Sequence, residues 1–179
     1  MTSHFTRPAY AASRVLTVRN AAFAIVLLAG CSEQLGDVRI NEVSAANRTG
    51  CVDAFGDPDD WIELFNASPS IIDLGGYHVF NEETPSELGV ILPGVTITPR
   101  GYLLLWAHEK SQGLDHLPFK LSNGRDSVEL TDPDGNSLDR ISWASADPDT
   151  SYARIPDAIG DFKRCTKPSC GASNATQCE

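Results

Sequence analysis

The chain has 179 residues, 41% hydrophobic and 21% charged, the composition of one ordinary globular domain and not of a disordered tail. Its formal charge is −10, from 24 acidic and 14 basic side chains. A surface that acidic does not attract nucleic-acid phosphates, so no nucleic-acid partner is expected. The first thirty residues stand apart: they hold Arg7, Arg14 and Arg19 and no acid. Ala21 to Ala29 is then a run of nine uncharged, mostly apolar residues, far short of the ~20 needed to span a bilayer as a helix. A basic stretch, a short apolar stretch and small residues at its end make an export signal over 1–30.

Leu28-Ala29-Gly30-Cys31 is similar to the lipobox of bacterial lipoproteins. That resemblance implies cleavage before Cys31, a diacylglycerol thioether on its sulfur and an acylated new amino terminus. Several fatty chains such as palmitate, at ~0.8 kcal/mol per buried CH2, make a stable membrane anchor where one would be marginal. Ser32 in place of Asp after the cysteine resembles the pattern that sorts lipoproteins to the outer membrane. The expected location is therefore the bacterial cell envelope, at the outer membrane. Residues 31–37 form a short tether: the six from Ser32 to Asp37, at ~3.3 Å each, reach about 20 Å.

Beyond the tether, strands are expected from end to end. Between Pro58 and Pro168 the widest gap separates Pro99 from Pro118, so a long helix has no place. Val38 to Val43 is the first β-type run. Trp61 to Phe65 alternates, with Ile62 and Leu64 on one face and Glu63 between aromatics on the other. Tyr77 to Phe80, Val95 to Thr98 and Tyr102 to Trp106 follow, and Leu103 to Trp106 is apolar on both faces, as in a central strand. His108 to Leu114 is the one stretch that could form a helical turn. Asn123-Gly124 signals a hairpin, and Pro133-Asp134-Gly135 a turn between the runs Ser127 to Thr131 and Leu138 to Trp143. Ser151 to Ile155 is the last strand expected. Short strands at this spacing predict an all-β sandwich or barrel.

The residues then carry a second resemblance. Arg39-Ile40-Asn41-Glu42-Val43, Asp60-Trp61-Ile62-Glu63-Leu64-Phe65-Asn66 and Ile72-Asp73-Leu74-Gly75-Gly76-Tyr77 resemble the opening of a lamin-tail domain. Leu92 to Ile97, Gly101-Tyr102-Leu103, Phe119 to Ser122, Asp132 to Gly135, Ser151 to Arg154 with Pro156-Asp157, and Gly171 to Asn174 continue it in order. The resemblance spans 38–174, leaves 175–179 as a tail, and implies an immunoglobulin-like β-sandwich. It departs from the family where a closing Pro-Gly is replaced by Cys170-Gly171, which recruits the tail into a disulfide. Such domains resemble accessory modules of secreted and envelope proteins, sometimes joined to hydrolases, and this chain leaves no room for a second domain.

With Cys31 lipidated, Cys51, Cys165, Cys170 and Cys178 remain. An even number in an exported chain predicts two disulfides, with three possible connectivities. The expected pairs are Cys51–Cys165 and Cys170–Cys178. Zinc is disfavoured by the lack of a Cys-x2-Cys pair and of histidine near the cysteines. Asp57 and Asp59, and Asp132 and Asp134, lie in acidic loops whose oxygens could hold calcium. Gly135, however, is fourth in its motif and not sixth as in an EF-hand, and turn chemistry explains both loops without a metal. Glu63, between aromatics, needs a partner, and Arg154 is the expected one, in a structural ion pair. His78, His108 and His116 lack metal-ligand spacing, and no nucleophile elbow or phosphate loop occurs.

No cofactor and no catalytic residue are therefore expected. The function predicted is a monomeric, lipid-anchored, non-catalytic envelope module binding a protein or polysaccharide. The alternative is a small envelope hydrolase with a cryptic, calcium-assisted site.

Overall fold

A computed structural model describes residues 37–82, 84, 88–109, 112–176 and 178. The export signal expected over 1–30, with Leu28, Ala29 and Gly30, and the expected lipidation site Cys31 lie outside the described residues.

Among the described residues twelve strands follow in order: β1 (Val38–Ser44), β2 (Asp60–Asn66), β3 (Ile72–Asp73), β4 (His78–Asn81), β5 (Gly89–Val90), β6 (Thr96–Ile97), β7 (Tyr102–Ala107), β8 (His116–Leu117), β9 (Asp126–Thr131), β10 (Ser137–Trp143), β11 (Ser151–Ile155) and β12 (Asp161–Cys165). They form a six-stranded sheet, β12-β11-β1-β2-β7-β8, a four-stranded sheet, β10-β9-β4-β5, and a small pair, β3-β6. Pairing is antiparallel except between β7 and β8. Ile40, Ile62, Leu64 and Leu105 of the large sheet belong to one buried cluster with Val79, Val128, Leu130 and Ile141 of the second. The result is the all-β, immunoglobulin-like sandwich expected.

Local pattern explains most of it. β2 puts Ile62 and Leu64 into the core, and its period-two alternation turns Trp61, Glu63 and Phe65 the other way. In the β9–β10 turn, Gly135 takes φ +85°, the left-handed conformation that glycine adopts without a Cβ clash. Its N–H donates to Asp132 O at 3.0 Å.

Three expectations change. β1 and β2 are the strands buried on both faces, whereas β7 pairs with β8 only at Trp106 and Ala107, lies at the sheet edge along the rest of its length, and is half-buried from Tyr102 to Leu104. Asn123-Gly124 makes no hairpin; it carries the chain from one sheet to the other, with Ala146 N–H donating to Asn123 O at 2.8 Å. No helical turn appears over His108 to Leu114 among the described residues, and His108 bridges Lys120 in antiparallel fashion instead.

The sheets are tied along one side by Asp139. Its carboxylate accepts from Ile40 N–H at 2.9 Å and from Arg154 Nη2 at 2.7 Å, with Arg39 Nε at 3.5 Å. The side chains of Arg39, Arg154 and Asp139 are 14%, 13% and 6% exposed. Removing one member of a buried charge cluster leaves the others desolvated without compensation. Asp139→Ala is expected to lower the unfolding free energy by about 3–5 kcal/mol, measured by urea titration; a change near zero would contradict this clamp.

Candidate functional site

β1 leaves the sheet at Ser44, β2 joins it at Asp60, and the register places Asp60 beside Ala107 and Trp106 beside His116. The loops 45–59 and 108–115 therefore meet at one end of the sandwich. Asp53 organises the first loop: its Oδ1 accepts from the N–H groups of Phe55 and Asp57, each at 2.8 Å. Its Oδ2 lies 3.2 Å from His116 Nε2, and His116 Nδ1 lies 2.8 Å from Asp115 Oδ1. A carboxylate only accepts, so each ring nitrogen donates when both bonds are made. Desolvation works to raise the Asp53 carboxyl, but the N–H groups of Asp57 and Phe55 and the His116 ring outweigh it and hold it below its ordinary value. The His108 ring stands edge-on to His116, centroids 4.7 Å apart, with its Nδ1 3.7 Å from Asp59 Oδ2. Burial pushes the neighbouring Asp60 up to about 6.

Asp57 and Asp59 are thus brought together, with Asp53 as a third member. Ligand oxygens of the three lie within 4.8 Å of one another, a spacing that one cation could bridge. Asp132 and Asp134 are not part of it. Asp132 accepts from the N–H groups of Asp134 at 3.0 Å and Asn136 at 2.8 Å, and from the Asn136 amide at 2.8 Å. Those bonds satisfy the turn itself and hold Asp132 below its ordinary value. The β9–β10 turn also sits at the opposite end of the sandwich, where Asp132 and Asp37 both act on Tyr77. Asp53, His108 and His116 were missed in the sequence because a parallel β7–β8 pairing, which local pattern does not signal, brings them together.

A second cluster of ionisable groups lies on the outward face of the six-stranded sheet. A β-bulge between Ile40 and Glu42 inserts Asn41 as an extra residue and resets the alternation. Ile40 faces the core, while Glu42 comes opposite Glu63 on the other face, both fully buried. The segment after β12 covers them. Ser169 donates to Glu42 through its N–H at 3.1 Å and its hydroxyl at 2.5 Å, and Ser151 Oγ donates as well. Glu63 accepts from Gly171 N–H at 2.6 Å and Asn41 Nδ2 at 2.8 Å. Asp157 accepts from Tyr102 OH, Ser173 Oγ and Asn174 N–H at 3.0, 2.6 and 3.0 Å. Burial raises Glu42 and pushes Glu63 up to about 8, against the pull of these donors. Burial works upward on Asp157 too, but Ser173, Asn174, Asn41 and Tyr102 together hold it below its ordinary value.

The expected Glu63–Arg154 pair does not form. Ala153, not Arg154, shares the row of Glu42 and Glu63, and adjacent residues of a strand point to opposite faces. Arg154 turns instead to Asp139, to Ile40 O at 3.0 Å and to Gly160 O at 2.8 Å, with its guanidinium 4.1 Å from the Phe162 ring centroid. The disulfides also differ from expectation: Cys51–Cys170 and Cys165–Cys178 replace Cys51–Cys165 and Cys170–Cys178. Ser169 and Gly171, bound to Glu42 and Glu63, fix Cys170 beside the loop that carries Cys51. Cys165 ends β12 opposite Ser151 and takes the tail, with Cα atoms 4.4 Å apart.

Among known proteins, the Lamin Tail Domain family model matches residues 32–145. No curated protein matches the chain.

Glu63 gives stability a defined pH dependence. Unfolded, it titrates near 4.5; folded, near 8. Between those values the native state binds the extra proton, so the contribution is complete below pH 4.5 and declines as the pH rises to 8. Glu42, raised, and Asp60, at about 6, act in the same direction, whereas Asp157, lowered, loses its contribution only in acid. Unfolding titrations of the intact protein are expected to show stability falling from about pH 5 to 8, and falling less steeply in Glu63→Gln. An unchanged slope would contradict the assignment.

Proposed function

The chain belongs to the lamin tail domain family, and from that premise we propose that it is a lipid-anchored, non-catalytic envelope module. It holds a protein or polysaccharide partner at the loop-bearing end of the sandwich. The observation that carries this reading is the direction of β1. The described chain begins at Asp37, enters the sandwich where Val38 faces Asn66, and reaches the loops only after Ser44. Seven residues at ~3.3 Å each put more than 20 Å between the two ends. A tether attached through Cys31 then joins one end and leaves the other facing away from the bilayer.

Four connections gather at that free end. Asp149 accepts from the N–H groups of Arg48 and Thr49 at 2.7 and 2.8 Å, which joins the 144–150 loop to the 45–59 loop. The Asn123 turn joins the 144–150 loop through Ala146, and the 108–115 loop meets Asp59 through His108. A cavity of about 310 Å³ opens among Ala46, Arg48, Asp60 and Asn123. Val52, Phe55 and Leu114 are exposed there by 53%, 62% and 57%, in a form suited to a partner's surface. The carboxyls of Glu42 and Glu63, both buried, and of half-buried Asp157 are occupied by structural hydrogen bonds, which supports a module without catalysis.

The test places a photo-crosslinking residue at Phe55, or at Asp134 on the opposite end, in living cells. Capture of an envelope component from position 55 and not from 134 is expected. In the same strain, Cys31→Ser is expected to move the protein from the membrane to the soluble fraction. Capture from position 134 alone, or a Cys31→Ser protein that stays in the membrane, would contradict the reading.

A further inference from the structure

The C-terminal cover is held in place differently from the rest of the fold. From Thr166 to Thr176 its only apolar side chains are those of Pro168, Cys170, Ala172 and Ala175. Among the described residues, none of this segment belongs to the hydrophobic core, so apolar burial contributes little to its position. Hydrogen bonds and cross-links remain. Ser169 N–H and Oγ donate to Glu42 at 3.1 and 2.5 Å, and Gly171 N–H donates to Glu63 at 2.6 Å. Ser173 and Asn174 bind Asp157, and the Asn174 amide donates to Asn41 O and Arg154 O, each at 3.1 Å. Such bonds replace bonds to water, and each brings only a small net gain.

The two disulfides are not equivalent. Cys165 is fully buried at the end of β12, whereas Cys51, Cys170 and Cys178 are half-buried. An attacking thiolate therefore reaches Cys51–Cys170 at either sulfur, and the other bond only through Cys178. Cys51 keeps its place without the bond: Asn47 Nδ2 donates to its carbonyl at 2.6 Å, and Asp53 holds Phe55 and Asp57 beyond it. Cys170 depends on the carboxyls, to which its own N–H and those of Ser169 and Gly171 turn. It also takes φ 48°, in the left-handed region that a residue with a Cβ rarely adopts.

We propose that residues 166–176 are a redox-controlled latch, locked over Glu42 and Glu63 by Cys51–Cys170 and, once that bond is reduced, released by rising pH. The latch goes beyond the binding module proposed above and does not depend on it. A dithiol supplies two electrons and two protons: the S–S bond breaks, Cys51 and Cys170 become thiols, and the reductant closes to its own disulfide. The segment then rests on the carboxyls. Beneath it burial raises Glu42 and pushes Glu63 up to about 8; lifting it returns Glu63 to water and toward 4.5. The lifted state therefore gives up protons between those values, and each carboxyl favours lifting by up to about tenfold per pH unit. Asp157 works the other way, since its bonds to Ser173 and Asn174 favour the ionised form and are lost only in acid. Tyr102 of β7, pushed up to about 12, also faces the cluster. Lys163 of β12, in the register row of Glu42, and Lys167 of the latch are both exposed, and Arg154 of β11 turns away to Asp139.

The test follows hydrogen exchange of the full-length protein in detergent by mass spectrometry at about pH 6 and about pH 8, as protection factors corrected for the intrinsic rise of exchange with pH. In Cys51→Ser/Cys170→Ser at the higher pH, residues 166–176 are expected to be at least about tenfold less protected than in the intact protein, and less protected than β9 of the same variant. At the lower pH about tenfold or more of that protection returns, and adding Glu63→Gln keeps it at both. Cys165→Ser/Cys178→Ser is expected to leave Ser169 to Gly171 protected. In the intact protein, dithiothreitol followed by alkylation is expected to label Cys51 and Cys170 before Cys165 and Cys178. Unchanged protection of 166–176 in the first variant, or exchange of latch and β9 at one common rate, would overturn the proposal. So would a pH response undiminished by Glu63→Gln, equal loss in Cys165→Ser/Cys178→Ser, or labelling of Cys165 first.

Discussion

Glu42 and Glu63 lie side by side on the outward face of the large sheet, with no access to solvent, and a desolvated carboxyl is tolerated only with hydrogen-bond partners or a proton. Both conditions are met here. The segment from Ser169 to Asn174 brings its N–H groups and hydroxyls onto the pair, and burial shifts both groups toward the protonated form. The cause is a single inserted residue. Without the bulge at Asn41, Glu42 would fall in the register of Ile40 and face the core. With it, Glu42 joins Glu63 and the sheet needs a cover. Asn41 also serves the cover, accepting from Ala158 N–H at 3.0 Å while its own amide donates to Glu63 and Asp157.

That cover settles much of the rest. It takes the C-terminal segment across the sheet and places Cys170 against the loop of Cys51. It also closes the second face of β2 at Glu63, which accepts from Gly171 N–H. Asp139 performs the matching task on the other side, where it holds two arginines and the Ile40 N–H at the seam between sheets.

The sequence shows what depends on neighbours a few residues apart. Alternation along β2 and the Pro133-Asp134-Gly135 turn are local, and both appear where expected. So do the strands beginning at Val38, Ser127 and Ser151, within a residue or so at their ends. The β12 strand was passed over because its residues, Asp161-Phe162-Lys163-Arg164-Cys165, are mostly charged, as suits an edge strand protected from further pairing. What the sequence hides is contact between distant segments: Glu63 with Gly171, Cys51 with Cys170 across 119 positions, His108 with His116 through parallel strands. The Glu63–Arg154 expectation failed for a related reason. A buried carboxylate does announce its need for a partner, but which face the candidate occupies is set by register, and a one-residue shift reverses it. The closeness of Asp57 and Asp59 was visible; the fold adds Asp53, which anchors the loop, and two histidines beside it.

The disulfide pattern tests the central claim most directly, since only a C-terminal segment laid over Glu42 and Glu63 puts Cys170 within reach of Cys51. Proteolysis without reduction, followed by mass spectrometry of the linked peptides, is predicted to yield Cys51 joined to Cys170 and Cys165 joined to Cys178. Recovery of Cys51 joined to Cys165, with Cys170 joined to Cys178, would contradict the account.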